Sequence, residues 1–139
     1  LAVETKHIGF ETRGNVDIID ITPRVAGAVA ETGLEAGVVT VFVPGSTGAV
    51  TTIEYEPGVV EDLARAIERL APQDIEYKHD LRWGDGNGHS HVRAALLGPS
   101  LSIPFNKGKL ALGTWQQVVF IDLDTRPRKR SLILQITGE

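Results

Sequence analysis

The 139-residue chain reads as one α+β domain spanning residues 1–139. Three observations predict this class. About seven segments carry strand patterning against two to three helical ones. The strands come in groups instead of alternating strictly with helices, which argues against a doubly wound fold. The length suits one domain and buries roughly 68–70% of the unfolded surface without disulfide staples.

Val3 to Phe10 holds mixed β-formers and reads as the first strand, with Gly14 and Asn15 offering a turn. Val16, Ile18, Ile19 and Ile21 make the second. Thr22 followed by Pro23 reads as N-cap and first helical residue of a helix running to Thr32, closed by Gly33. Val38 to Val43 is a continuous apolar run, hence a buried strand that Pro44 and Gly45 stop. GSTG (45–48) is a polar loop, and Val50 to Tyr55 alternates as a further strand. Pro57 opens the best helix, with Val59, Val60, Leu63, Ile67 and Leu70 at helical spacing and Pro72 beyond its end. Residues 79–91, HDLRWGDGNGHSH, read as a loop, with Ser90 as N-cap of a short helix closed by Gly98. Ser100 to Phe105, Trp115 to Leu123 and Ser131 to Thr137 are the closing strands.

Composition excludes several classes. Hydrophobic residues make up 42% and charged residues 23%, ordinary globular usage, and no apolar run is long enough to span a membrane. There is no cysteine, so thiolate metal sites, iron–sulfur clusters and cysteine nucleophiles are out. Fourteen basic against 18 acidic residues give a net charge of −4, which argues against a nucleic-acid partner. The opening LAVETKHIGF lacks a signal-peptide pattern, so a cytoplasmic location is expected. Scarce Asn with no Cys or Met hints at a thermophilic source.

Three of the four histidines, His79, His89 and His91, fall within one short stretch. Neutral imidazole suits zinc and similar metals. His89 and His91 share a direction only if the segment is extended, so a three-imidazole site requires residues 88–91 to be strand-like. The helix start after them favours an anion, and Ser46, Thr47 and Ser90 add hydroxyls. Asp80 is placed to orient an imidazole. Glu54, inside a β-rich strand, is a candidate general base or metal ligand. Arg126, Arg128, Lys129 and Arg130 form a basic hairpin tip, either solvated or able to hold a phosphate, with Arg128 the phosphate-binding candidate. Trp115 enters a strand and reads as core, or as the wall of a pocket or interface.

The segments HD (79–80), GHSHVRAALLGPSLSIPF (88–105), GKLALGTWQQVVFIDLD (108–124), RPRKR (126–130) and ITGE (136–139) together resemble the YjbQ-like family, also labelled secondary thiamine-phosphate synthase. The resemblance extends over nearly the whole chain. It implies an α+β subunit with a two-sheet β-sandwich, assembled as a homotrimer. It also implies a polar His-lined cavity for a divalent metal (zinc or magnesium) or an anion. A weak activity follows from it: joining an aminopyrimidine diphosphate to a thiazole phosphate. His79, Asp80, His89, Ser90 and His91 match the family's polar motif, and Glu54 matches its Asn-Glu carboxylate. Gly45, Ser46 and Thr47 stand where many members have His-Thr-Thr, and Ile53 replaces the Asn.

Two functions are therefore expected in competition. In one, Glu54, Asp80 and His89 serve catalysis, Ser46, Thr47, Ser90 and Arg128 hold a phosphorylated small molecule, and His79, His89 and His91 hold a metal. In the other, the same pocket binds a metal or phosphometabolite in a trimer without turning it over.

Overall fold

A computed structural model describes residues 1–139. In chain order the elements are β1 (Ala2–Thr12), β2 (Asp17–Asp20), α1 (Thr22–Thr32), β3 (Ala36–Phe42), β4 (Gly48–Ile53) and α2 (Pro57–Leu70), followed by α3 (Lys78–Trp83), α4 (Gly88–Leu97), β5 (Ser100–Asn106), β6 (Lys109–Leu110), β7 (Gln117–Asp122) and β8 (Arg128–Gly138). The α+β class holds, with two sheets. One has five strands in the order β1-β8-β3-β5-β6 and the other three in the order β2-β7-β4. Every pairing is antiparallel.

Alternation within β7 explains the layering. Val118 and Phe120 point toward the five-stranded sheet, where they meet Val39, Val41, Leu132, Leu134 and Ile136. Val119, Ile121 and Leu123 point the other way, onto Ile67 of α2 and Ala94 of α4. A central strand buried on both faces reads as a continuous apolar run, as VVFI does. α1 closes one side of the first core through Val25, Ala28 and Val29. The layers are thus the large sheet, the small sheet and the α2/α4 layer. No helix is long and apolar enough to cross a membrane.

Thr22 is the first helical residue of α1 and Ile21 occupies the cap position. The Thr22 hydroxyl instead accepts a hydrogen bond from Val118 N at 2.8 Å, tying the helix start to β7. Lys78–Trp83, expected as loop, forms α3. Ser90 lies inside α4, whose cap position is Asn87. Trp115 precedes β7 and is 73% exposed, so it is not core. Arg130 is buried within β8, so the basic tip is not a uniformly solvated cluster.

Candidate functional site

The corner between α3 and α4 is built by two glycines and a carboxylate. α3 ends at Gly84, whose φ of 68° is the left-handed turn that glycine adopts most cheaply. Four residues on, Gly88 opens α4 so close to the preceding chain that a β-carbon there would lie 2.6 Å from Tyr77 Cβ. That approach lets Gly88 N donate to Asp80 Oδ1 at 2.7 Å, so a carboxylate from α3 caps the start of α4. Burial pushes the Asp80 carboxyl up, but hydrogen bonds from His79 and from the Gly88 and Asn87 amides outweigh it and hold it below the usual range.

His79 stands among acidic oxygens. Its Nδ1 lies 3.2 Å from Asp80 Oδ1 and 3.4 Å from Asp85 Oδ1. One ligand atom from each of His79, Asp80 and Asp85 falls within 4.8 Å of the others, which is the spacing of a shared cation. The His91 ring stacks beside His79, centroids 4.5 Å apart. His89 takes a different direction. Because residues 88–91 are helical and not extended, His89 and His91 leave α4 on different sides. The condition for the expected three-imidazole set is therefore not met. His89 is 2% exposed and packs near Tyr77, ring centroids 6.2 Å apart. Burial, then the Arg93 charge, lowers its pKa, so the imidazole is neutral at pH 7. At the head of α4, Asn87 Oδ1 and the fully buried Ser90 Oγ have no protein partner.

The opposite wall comes from the ends of β4 and β7. Asp122 closes β7, and Asp124 lies two residues beyond it, its amide donating to Asp122 Oδ1 at 3.0 Å. Asp122 is fully buried and accepts from Arg130 Nε at 2.8 Å, Arg130 Nη2 at 2.9 Å and Thr12 Oγ1 at 2.6 Å. Burial raises the Asp122 carboxyl, but those hydrogen bonds and the Arg130 charge more than compensate and leave it below the usual carboxylate range. Arg130 Nη2 also donates to Thr47 Oγ1 at 2.9 Å, and Thr47 in turn donates to Asp124 Oδ2 at 3.1 Å. Arg128, half-exposed, reaches the same Asp124 oxygen at 3.1 Å.

These bonds position two openings. A groove of about 170 Å³ is lined by Gly45, Ser46 and His91 among others. A cavity of about 260 Å³ is lined by Asp85, Asn87, Asp124, Thr125 and Arg126. Gly45, where the resemblance would place a histidine, has a φ of 150°, a conformation that L side chains rarely adopt. The loop geometry itself therefore disfavours an imidazole here.

The corner thus gathers His79, Asp80, His89, Ser90 and His91, and Thr47–Asp124 links it to Arg128, with Ser46 on the His91 groove. Glu54 does not join them. It is exposed, one residue beyond β4, at the end of that strand opposite Thr47. Six intervening strand residues separate the two by about 20 Å. Asp85, Asp122, Asp124 and the burial of Arg130 are not singled out by the sequence reading. A signal was available: acids at 122 and 124 and arginines at 128 and 130 share the period of two that aligns side chains on one face.

A family model described as "UPF0047 protein YjbQ-like" matches residues 6–139. A UPF0047 protein of Methanothermobacter thermautotrophicus is 35% identical over all of this chain and 95% of its own length. One from Archaeoglobus fulgidus is 41% identical over 91% of this chain and 95% of its own. The crystal structure of a YbjQ-like protein of unknown function from Sulfolobus solfataricus superposes with a TM-score of 0.94 at 33% identity, covering 99% of each chain. Family model, full-length relatives and shared architecture agree, and the chain belongs to the UPF0047, YjbQ-like family.

Proposed function

We propose that the α3–α4 corner is a divalent-metal site that receives a phosphorylated small molecule. The observation that carries this reading is the His79, Asp80 and Asp85 set, whose donor atoms lie within one coordination shell. One imidazole with two carboxylates suits zinc or a similar borderline ion. Three protein ligands leave coordination positions for a substrate oxygen, and the metal would supply charge neutralisation to a phosphate. The neighbouring protein groups fit that ligand. Arg126 brings a positive charge to the cavity, and Ser46 borders the His91 groove.

Within this reading the resemblance supports a transferase that joins an aminopyrimidine diphosphate to a thiazole phosphate in a homotrimer. The chain's own residues would position the two substrates and stabilise the departing pyrophosphate. A second reading, binding without turnover, is favoured by two observations. Gly45 carries no imidazole, and Glu54 stands at the end of β4 opposite Thr47, about 20 Å from it along the strand. A trimer reconciles Glu54 with the transferase only if a neighbouring copy delivers it. The purified protein, supplied with both precursors and zinc or magnesium, is the test. Product that disappears in both Asp85→Ala and Glu54→Ala supports the transferase. Stoichiometric metal uptake with no product supports binding alone, and neither uptake nor product removes both readings.

A further inference from the structure

β1 is an edge strand of the five-stranded sheet, and at eleven residues it is as long as any strand in the molecule. Two observations fix which of its backbone groups face outward. Just beyond β8, Glu139 and Ala36 exchange both backbone hydrogen bonds, so the odd-numbered residues along β8 face β3 and the even-numbered ones face β1. Register pairs those even residues with even residues of β1, which leaves Thr5, His7 and Gly9 with their N–H and C=O groups turned to the open side. The Gly9 carbonyl agrees, because it accepts from Arg24 Nη1 of α1 at 2.7 Å. No backbone hydrogen bond outside the ladders involves Thr5, His7 or Gly9.

Beneath this edge runs a groove of about 520 Å³ between β1 and α1, larger than either opening at the α3–α4 corner. Arg24, Gly27, Ala28 and Glu31 line it from α1, at the spacing of one helix face. Lys6 and Ile8 line it from the inner face of β1. Gly27 keeps it open: a β-carbon there would meet no atom within 4 Å. Two cations stand in the groove. Lys6 Nζ pairs with Glu31 Oε2 at 3.1 Å, and Glu31 is 71% exposed, so the pair is weak and an incoming carboxylate can exchange with it. Arg24 sits about 10 Å from Glu31 along α1, held by the Gly9 carbonyl and by the Phe10 ring, whose centroid lies 5.2 Å away.

We infer that the β1–α1 groove binds an extended acidic peptide segment. The segment adds to β1 as a further strand and lowers alternate Asp or Glu side chains toward Lys6 and Arg24. In such strand addition main-chain hydrogen bonds supply affinity and the side-chain groove supplies specificity. The edge offers a donor and an acceptor at every second residue, roughly 7 Å apart. Another peptide backbone supplies both partners, whereas a phosphodiester backbone only accepts. The charges decide which peptide. Inward-pointing charges ordinarily guard a sheet edge, because a neutral or basic strand would cover Lys6 without a counter-ion. An acidic strand removes that penalty. A second β1 brings its own Lys6 to the same place and is turned away. This site lies outside the metal corner and stands or falls independently of it.

Fluorescence anisotropy of a dye-labelled, end-blocked peptide of about seven residues, alternating Val and Glu, tests the inference. The wild type should bind it saturably, and amide hydrogen exchange at Thr5, His7 and Gly9 should slow when it is added. The same peptide with Lys in place of Glu, or with its backbone nitrogens methylated, should not bind. Lys6→Gln and Arg24→Gln should each weaken binding about tenfold. Gly27→Leu fills the groove with a better helix former, so it should abolish binding while the melting temperature holds or rises. Absence of saturable binding overturns the inference. So does equal binding of the Lys or methylated peptide, or binding that survives Gly27→Leu. An oligouridylate that displaces the labelled peptide as strongly as unlabelled peptide does would also overturn it, in favour of a nucleic-acid ligand.

Discussion

Replacing Asp122 with Asn should be the most damaging single change in the polar interior. The carboxylate is fully buried and receives two guanidinium hydrogen bonds, at 2.8 and 2.9 Å, from an Arg130 side chain that is itself 8% exposed. The substitution keeps the shape but leaves the Arg130 charge without its counter-ion. Breaking one side of a buried pair costs about 3–5 kcal/mol. For a chain of this length each kcal/mol moves the melting temperature by roughly 3–4 °C, so a fall on the order of 10–15 °C is expected. Urea unfolding followed by circular dichroism gives the free energy directly. A double change, Asp122→Leu with Arg130→Met, should recover most of the loss. The two hydroxyls that served the pair keep other acceptors, Thr47 through Asp124 and Thr12 through the Arg128 carbonyl. A loss under about 1 kcal/mol for Asp122→Asn, or a double variant as unstable as the sum of the singles, would refute the view that an uncompensated charge sets the cost.

Other consequences follow from the same contacts. The Asp122 carboxyl is held below its ordinary range, so its contribution is fully present above the unfolded value near pH 3.9. It is lost as pH falls through the lower folded value, and acid titration of stability should be shallower in Asp122→Asn than in wild type. Gly88→Ala should disrupt the corner, because the added β-carbon would press on Tyr77 at 2.6 Å; proton NMR of the His79 ring should shift and its metal response should weaken. An unchanged spectrum would mean that the close approach is dispensable. Gly45→His should not enrich the site: a φ of 150° costs an L residue about 1–3 kcal/mol, so the variant should melt earlier without binding metal more tightly.

The layers were legible because their cause is local. β8 alternates, VVFI is continuous, and α2 shows one apolar face behind Pro57. α3 was not, because six residues ahead of a glycine-rich stretch carry too little periodicity to stand out from a loop. Ser90 resembles a cap by composition, yet Asp80 supplies the capping carboxylate from another helix, and no local rule announces that. His79, Asp80 and His91 could be nominated from their clustering, but the division of His89 from His91 depends on where α4 begins. The pairing of Asp122 with Arg130 is not legible in the sequence because it spans a turn and joins two sheets. Glu54 sits just beyond the strand in which the alternation placed it, and only the direction of β4 reveals its distance from the corner.

Calorimetric titration of the metal-stripped protein with zinc tests the central claim most directly. The account predicts one site per chain in wild type, and at least a tenfold loss of affinity in His79→Ala and Asp85→Ala. Glu54→Ala, changed far from the corner, should bind as wild type does. No saturable binding, or binding that survives the loss of both His79 and Asp85, would contradict the assignment of the α3–α4 corner as a metal site.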